Sequence, residues 1–177
     1  MNDFITAMQP QDIVRFTLPR YSELPAMDLY MDQVISSIEG YVSLLIPQNE
    51  KTFLTGTMIA NYVKQGIVTP PRKKKYNKNH LAYLIVVCLL KHVFSMSQIC
   101  DLIQAHIDRY PTDVAYDYFC TELEKALREV FSPDSAHGES LAIQVTEESE
   151  MVRKAVLSYA NYVYIEQYLV FRNNLHK

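Results

Sequence analysis

The side chains best suited to chemistry in this sequence are bases gathered in one stretch. Between Lys51 and Cys100 there are eight (Lys51, Lys64, Arg72, Lys73, Lys74, Lys75, Lys78 and Lys91) and no Asp or Glu at all. The formal net charge of −3 therefore hides a block at +8 set against −11 elsewhere. Half of the block is one run, Arg72, Lys73, Lys74 and Lys75. Cations concentrated without counter-charges neutralise phosphates and release the ions condensed on them, which is the chemistry of a nucleic-acid contact. Just upstream, Thr57, Asn61 and Lys64 fall at helical spacing on one side of a helix predicted over 57–65, with Thr55 at its start. An Asn amide can pair bidentately with adenine N6 and N7, and a Thr-bearing helix N-terminus suits a phosphate. Lys78, at the start of the following helix, completes the basic set. Tyr76 and His80 read as packing residues rather than ligands.

Other chemistries find no support in the residues. None of GxGxxG, GxxxxGK[ST], HExxH or GxSxG occurs. Glu147, Glu148 and Glu150 begin a helix, where acids favour the macrodipole. Cys88, Cys100 and Cys120 are widely spaced, odd in number and without a CxxC pair or zinc spacing, so reduced buried thiols are expected. No catalytic residue, cofactor or metal is expected. The longest apolar run, residues 81–90, is far short of the about 20 that a bilayer needs. Residues 1–10 carry Asp3 and no long apolar stretch, so no secretory leader is expected and the location expected is cytoplasmic.

The elements that must position these residues are mostly helices, as only four glycines would suggest. Residues 1–26, with Pro10, Pro19 and Pro25, predict a short helix near 11–16 followed by extended chain. Met27, Tyr30, Met31, Val34, Ile35, Ile38, Tyr41, Val42 and Leu45 predict an amphipathic helix over 27–45, and 48–53 a polar connection. Thr55 is the expected N-cap of the 57–65 helix, and Gly66 its stop. Residues 67–69 and 74–76 predict a very small hairpin around Pro70 and Pro71, with the basic run at its tip. Asn77 caps a buried helix over 78–92, and Ser95 or Ser97 one reaching about Arg109. A helix from Thr112 places Val114, Tyr118, Cys120, Leu123 and Leu127 inward and Glu122, Glu124, Lys125, Arg128 and Glu129 outward. Residues 132–140 read as a polar loop. The last helix, 146–173, is apolar on most of its circumference, so it is either the centre of a bundle or a surface for a second subunit.

At this point residues 54–103 resemble the DNA-binding head of MerR-type regulators. Gly66-Ile67 sits where those proteins stop their recognition helix, Pro71-Arg72 falls in the wing, and Lys75-Tyr76 matches its Arg-Tyr end. Val93-Phe94-Ser95-Met96-Ser97-Gln98-Ile99 falls on the Gly-Phe-Ser-Leu-Glu-Glu-Ile signature. Ala60 and Asn61 replace the Arg and first Tyr of the family's helix, so the resemblance implies that phosphate anchoring there is either lost or moved to the wing lysines. More closely, the phrases around Asn61-Tyr62 and Tyr76 resemble an uncharacterised Firmicutes family filed as a domain of unknown function, whose members are regarded as transcription factors by similarity.

The combined expectation is a mainly α chain: an N-terminal segment over 1–26, a MerR-like winged helix-turn-helix with a minimal β wing over 27–110, and a C-terminal helical region over 111–177. The expected function is a transcriptional regulator that reads double-stranded DNA as a homodimer through its C-terminal helices, those helices also being candidates to receive a signal. The alternative is a non-enzymatic adaptor whose basic wing meets an acidic protein.

Overall fold

In the computed structural model the described residues are 11–46, 53–132 and 146–175. Their elements run α1 (Gln11–Val14), a 3-10 turn (Tyr21–Glu23), β1 (Leu29–Tyr30), α2 (Met31–Val42), a second 3-10 turn (Ser43–Leu45), α3 (Gly56–Lys64), β2 (Lys75–Tyr76), α4 (Lys78–Leu90), α5 (Met96–Ile107), α6 (Thr112–Phe131) and α7 (Glu147–Leu175). Lys51, most of the 48–53 connection and positions 133–140 of the polar loop lie outside the described residues.

The core is organised around α4. Nine of its thirteen residues are buried, from His80 to Leu90. A helix that is apolar all round must be covered on every side, and α2, α5, α6 and α7 all pack against it. Its start is fixed as expected, with Asn77 Oδ1 accepting from the His80 N–H at 3.2 Å. The next helix uses Ser95, not Ser97: the Ser95 N–H donates to Gln98 Oε1 at 2.9 Å and Ser95 Oγ accepts from the Gln98 N–H at 3.3 Å, a reciprocal capping box.

The small sheet differs from the expected hairpin. Lys75–Tyr76 does not pair with 67–69 but with β1, antiparallel, Leu29 opposite Tyr76 and Tyr30 opposite Lys75. Ile67 and Val68 are both buried. Two consecutive inward side chains cannot satisfy the alternation of a strand, and Pro70 and Pro71 have no N–H to extend a ladder. The strand partner comes out of what periodicity assigns to the α2 helix. Met27 is 72% exposed and Tyr30 57%, so neither belongs to the helix's buried face. The Tyr30 N–H donates to Gln33 Oε1 at 2.9 Å, which sets the start at Met31.

Two charges expected outside are inside. Glu122 and Glu124 are buried, whereas Val114, expected inward, is half exposed. The reason is that α6 is covered on two sides. Arg153 on α7 and Lys125 face Glu122, at 3.5 and 3.1 Å. Glu124 takes both guanidinium nitrogens of Arg20, at 2.7 and 2.8 Å, and the Leu18 N–H at 3.1 Å. The hydrogen bond to Glu124 raises the Arg20 pKa further above its ordinary value. Chain 18–24 is thereby a strap across α6. Tyr21 continues it, its N–H donating to Asp117 Oδ1 and its hydroxyl to Asn79 Oδ1 on α4, each at 2.6 Å.

The last helix joins the core through its first half. Val152, Val156, Tyr159, Ala160 and Val163 are buried in the same core as α2 and α4. His92, just past α4, stacks on Tyr162 with ring centroids 5.4 Å apart and lies 6.0 Å from Phe53. Beyond Val163, Ile165, Tyr168 and Leu169 are exposed. Among the described residues no helix is long and apolar enough to cross a membrane.

The strap yields a stability prediction. Arg20→Met strands a buried carboxylate and should cost about 2 kcal/mol, less than a fully enclosed pair because Arg20 keeps part of its surface in water. Adding Glu124→Met should recover at least half of that loss. Urea unfolding at constant m-value measures both; a double variant as unstable as the single one would show that the ion pair does not fix the strap.

Candidate nucleic-acid interface

Helix α3 is held by its apolar side and capped at both ends by its own sequence. Thr55 Oγ1 accepts from the Met58 N–H at 3.1 Å. At the other end Gly66 adopts φ +78°, the Ile67 N–H reaches Tyr62 O at 3.0 Å and the Gly66 N–H reaches Val63 O at 3.0 Å. That is a Schellman motif, and the apolar residues at its two closing positions, Ile67 and Tyr62, are both buried. Ile59 and Tyr62 face the core. Thr57, Ala60, Asn61, Lys64 and Gln65 are exposed, so the three side chains expected to face outward do so.

The basic run forms the tip of a two-residue hairpin. The Arg72 N–H donates to Lys75 O at 3.1 Å and the Lys75 N–H to Arg72 O at 2.9 Å. Lys73 and Lys74 occupy the two central positions with φ +51° and +63°, which makes this a type I′ turn. That turn ordinarily takes Asn-Gly, because a Cβ in the left-handed region clashes with the following carbonyl at about 1 kcal/mol or more per residue. The loop leading into it is anchored from behind. Thr69 Oγ1 is 3.2 Å from His80 Nε2, and the Asn77 N–H donates to His80 Nδ1 at 3.0 Å, so both ring nitrogens of His80 are engaged in structure.

The nine site residues divide by what their side chains already do. Arg72, Lys73, Lys74, Lys64, Asn61 and Thr57 are exposed. Lys75 is partly buried with its Nζ 5.0 Å from the centre of the Tyr30 ring, a cation–π contact. Lys78 is used internally: its Nζ donates to Tyr21 O at 3.2 Å and Ser22 O at 3.0 Å and lies over the Tyr21 ring. Thr55 serves as the cap. Lys91, also in the acid-free block, donates to Phe53 O. Tyr30 is the neighbour of the basic turn that sequence reasoning misses; the alternation of buried Leu29 and exposed Tyr30 after Pro25 is its only local signal.

Burial pushes the Cys120 thiol up to about 12 and also raises Cys100, the opposite of an activated thiolate. Among the described residues no group of three or more His, Cys, Asp or Glu side chains could hold a metal ion.

The strained turn is open to direct test. Lys73→Asn with Lys74→Gly supplies residues that accept positive φ, and should raise stability by about 1 kcal/mol after the extra entropy of the unfolded glycine is counted. A higher urea midpoint at unchanged m-value is the expected result; an unchanged or lower midpoint would mean that the turn is not strained by its lysines.

No curated protein and no solved structure matches the chain. A family model does match, over residues 19–119, the span from the Arg20 strap through β1, the two helices, the basic turn, α4 and α5 to the first part of α6. The chain belongs to the family described as a domain of unknown function, DUF1836.

Proposed function

We propose that this protein binds double-stranded DNA and regulates transcription, with α3 read against base edges and the turn at 72–75 set on the phosphate backbone. The observation that carries the reading is the turn itself. Two lysines occupy positions that favour Asn and Gly, between Arg72 and Lys75, in a stretch free of acids. Backbone strain kept at a surface position points to a use for the side chains it displays. The order strand, helix, helix, basic hairpin, strand, helix, helix supports a winged helix-turn-helix of MerR-like kind, and the capped, outward-facing α3 supplies the helix that enters the groove.

A salt titration of DNA binding tests this. Removing one cation that neutralises a phosphate should reduce the slope of log K against log salt by about 0.9. Lys73→Ala with Lys74→Ala should therefore flatten it by about 2, whereas Lys75→Ala should change it less, because Lys75 lies against Tyr30. Asn61→Ala should relax sequence preference with the slope intact. Absence of DNA binding at low salt would sink the reading and favour an acidic protein as partner of the same turn.

The reading includes a second copy of the chain. The far half of α7 carries Ile165, Tyr168 and Leu169 in solvent, continuing a helix whose first half is core. Paired half-sites on DNA call for a two-fold dimer, and these residues supply an apolar surface for it. Sedimentation equilibrium should show a dimer, and Ile165→Asp with Leu169→Asp should shift it to monomer with unchanged helix content; a monomeric wild type would remove α7 from that role.

A further inference from the structure

Between α4, α5, α6 and α7 lies a cavity of about 50 Å³ whose walls are almost wholly apolar, including Val86, Ile103, Phe119 and Val152. Its lining includes Tyr83 and Thr112, which already bond each other at 3.1 Å. One polar group stands apart. His106 lines the cavity, is 6% exposed, and neither ring nitrogen has a hydrogen-bond partner. Its ring is flanked by those of Tyr110 and Tyr118, at 5.0 and 5.7 Å between centroids, which offer faces rather than acceptors. Tyr116 also lines the cavity, but its hydroxyl has the Cys120 thiol as a neighbour.

A buried polar group without a partner costs about 1–3 kcal/mol, and the few found in native proteins call for an explanation. Burial lowers the pKa of His106, against the opposing charge of Glu148, so the neutral ring presents one donor and one acceptor to whatever enters. An anion would be left without a countercharge there, and Glu148, whose charge reaches His106, is already paired with Arg109 at 3.2 Å. The complement is an uncharged group that both donates and accepts, attached to an apolar body.

We propose that this cavity binds a small uncharged molecule with an apolar body about three carbons long, or a single ring reaching in from the open side, and one hydroxyl or amide that His106 recognises. The site stands whether or not the chain binds DNA. The test is a titration of the full chain by NMR with 1-propanol, propionamide and phenol, and with xenon as a control that fills apolar space without hydrogen bonding. At least one of the three polar probes should give saturable shifts at Val86, Ile103, His106 and Phe119. His106→Leu should weaken that probe about tenfold while xenon binds both chains alike. His106→Leu removes an unsatisfied imidazole, so the variant should fold at least as stably as the parent, which thermal melting checks. Three outcomes would overturn the proposal: no polar probe saturates, the shifts map outside the cavity, or the leucine variant binds the same probe as tightly.

Discussion

A helix with no polar side governs this architecture. Because α4 is buried around its circumference, the chain has to supply cover from both of its ends, and every other element takes its place accordingly. The strap and α2 cover one part; α5, α6 and the first half of α7 cover the rest, in one continuous core from Ile13 to Val163. The consequence for the surface is indirect but firm. Only the ends of α4 and the elements beside it can present polar side chains outward, and its N-terminus is where the loop carrying the basic turn is tied, through His80 to Thr69 and Asn77. The position of the turn thus rests on an imidazole that is itself part of the core.

Local signals are legible in the sequence and non-local ones are not. Thr55, Gly66, Asn77 and Ser95 all perform the capping that their types and positions suggest, because a cap is settled within four or five residues. Outward placement of Thr57, Asn61 and Lys64 follows from the same short-range periodicity. The sheet escapes such reading because Leu29–Tyr30 finds its partner across more than forty residues, and only three-dimensional packing decides between it and 67–69. Glu124 escapes it for a similar reason: its partner Arg20 lies 104 residues away in sequence, so a helical wheel of α6 alone shows an acid among polar neighbours. Among the site residues, the charge block identifies the exposed turn but cannot separate Lys73 and Lys74 from Lys78, whose ammonium is consumed by the strap's carbonyls.

That separation sharpens the electrostatics. The acid-free block suggests eight equivalent cations, but the fold sorts the seven among the described residues. Lys75, Lys78 and Lys91 lie against aromatic rings, where part of their charge is already engaged by quadrupoles or carbonyls. Lys64, Arg72, Lys73 and Lys74 remain exposed. In the proposed reading this restricts backbone contact to the end of α3 and the turn, two places joined by a short connection whose Ile67 and Val68 are buried. A turn held by two hydrogen bonds and anchored behind by His80 gives its lysines less freedom to lose on binding than a loose basic loop would.

The continuous core also bears on how the two ends of the chain communicate. A winged unit with its own closed core would feel little of what happens at α7. Here the Phe53–His92–Tyr162 stack joins the approach to α3, the end of α4 and α7, and the Tyr159 hydroxyl donates to Leu45 O in the 3-10 turn that follows α2. The Arg20–Glu124 pair ties the strap to α6, while Tyr21 and Lys78 tie the same strap to the start of α4. Close-packed interiors transmit displacement rather than absorb it. A second copy docking on the far half of α7, or a small molecule entering beside His106, would therefore act on elements that already hold α4, and through α4 on the anchor of the basic turn.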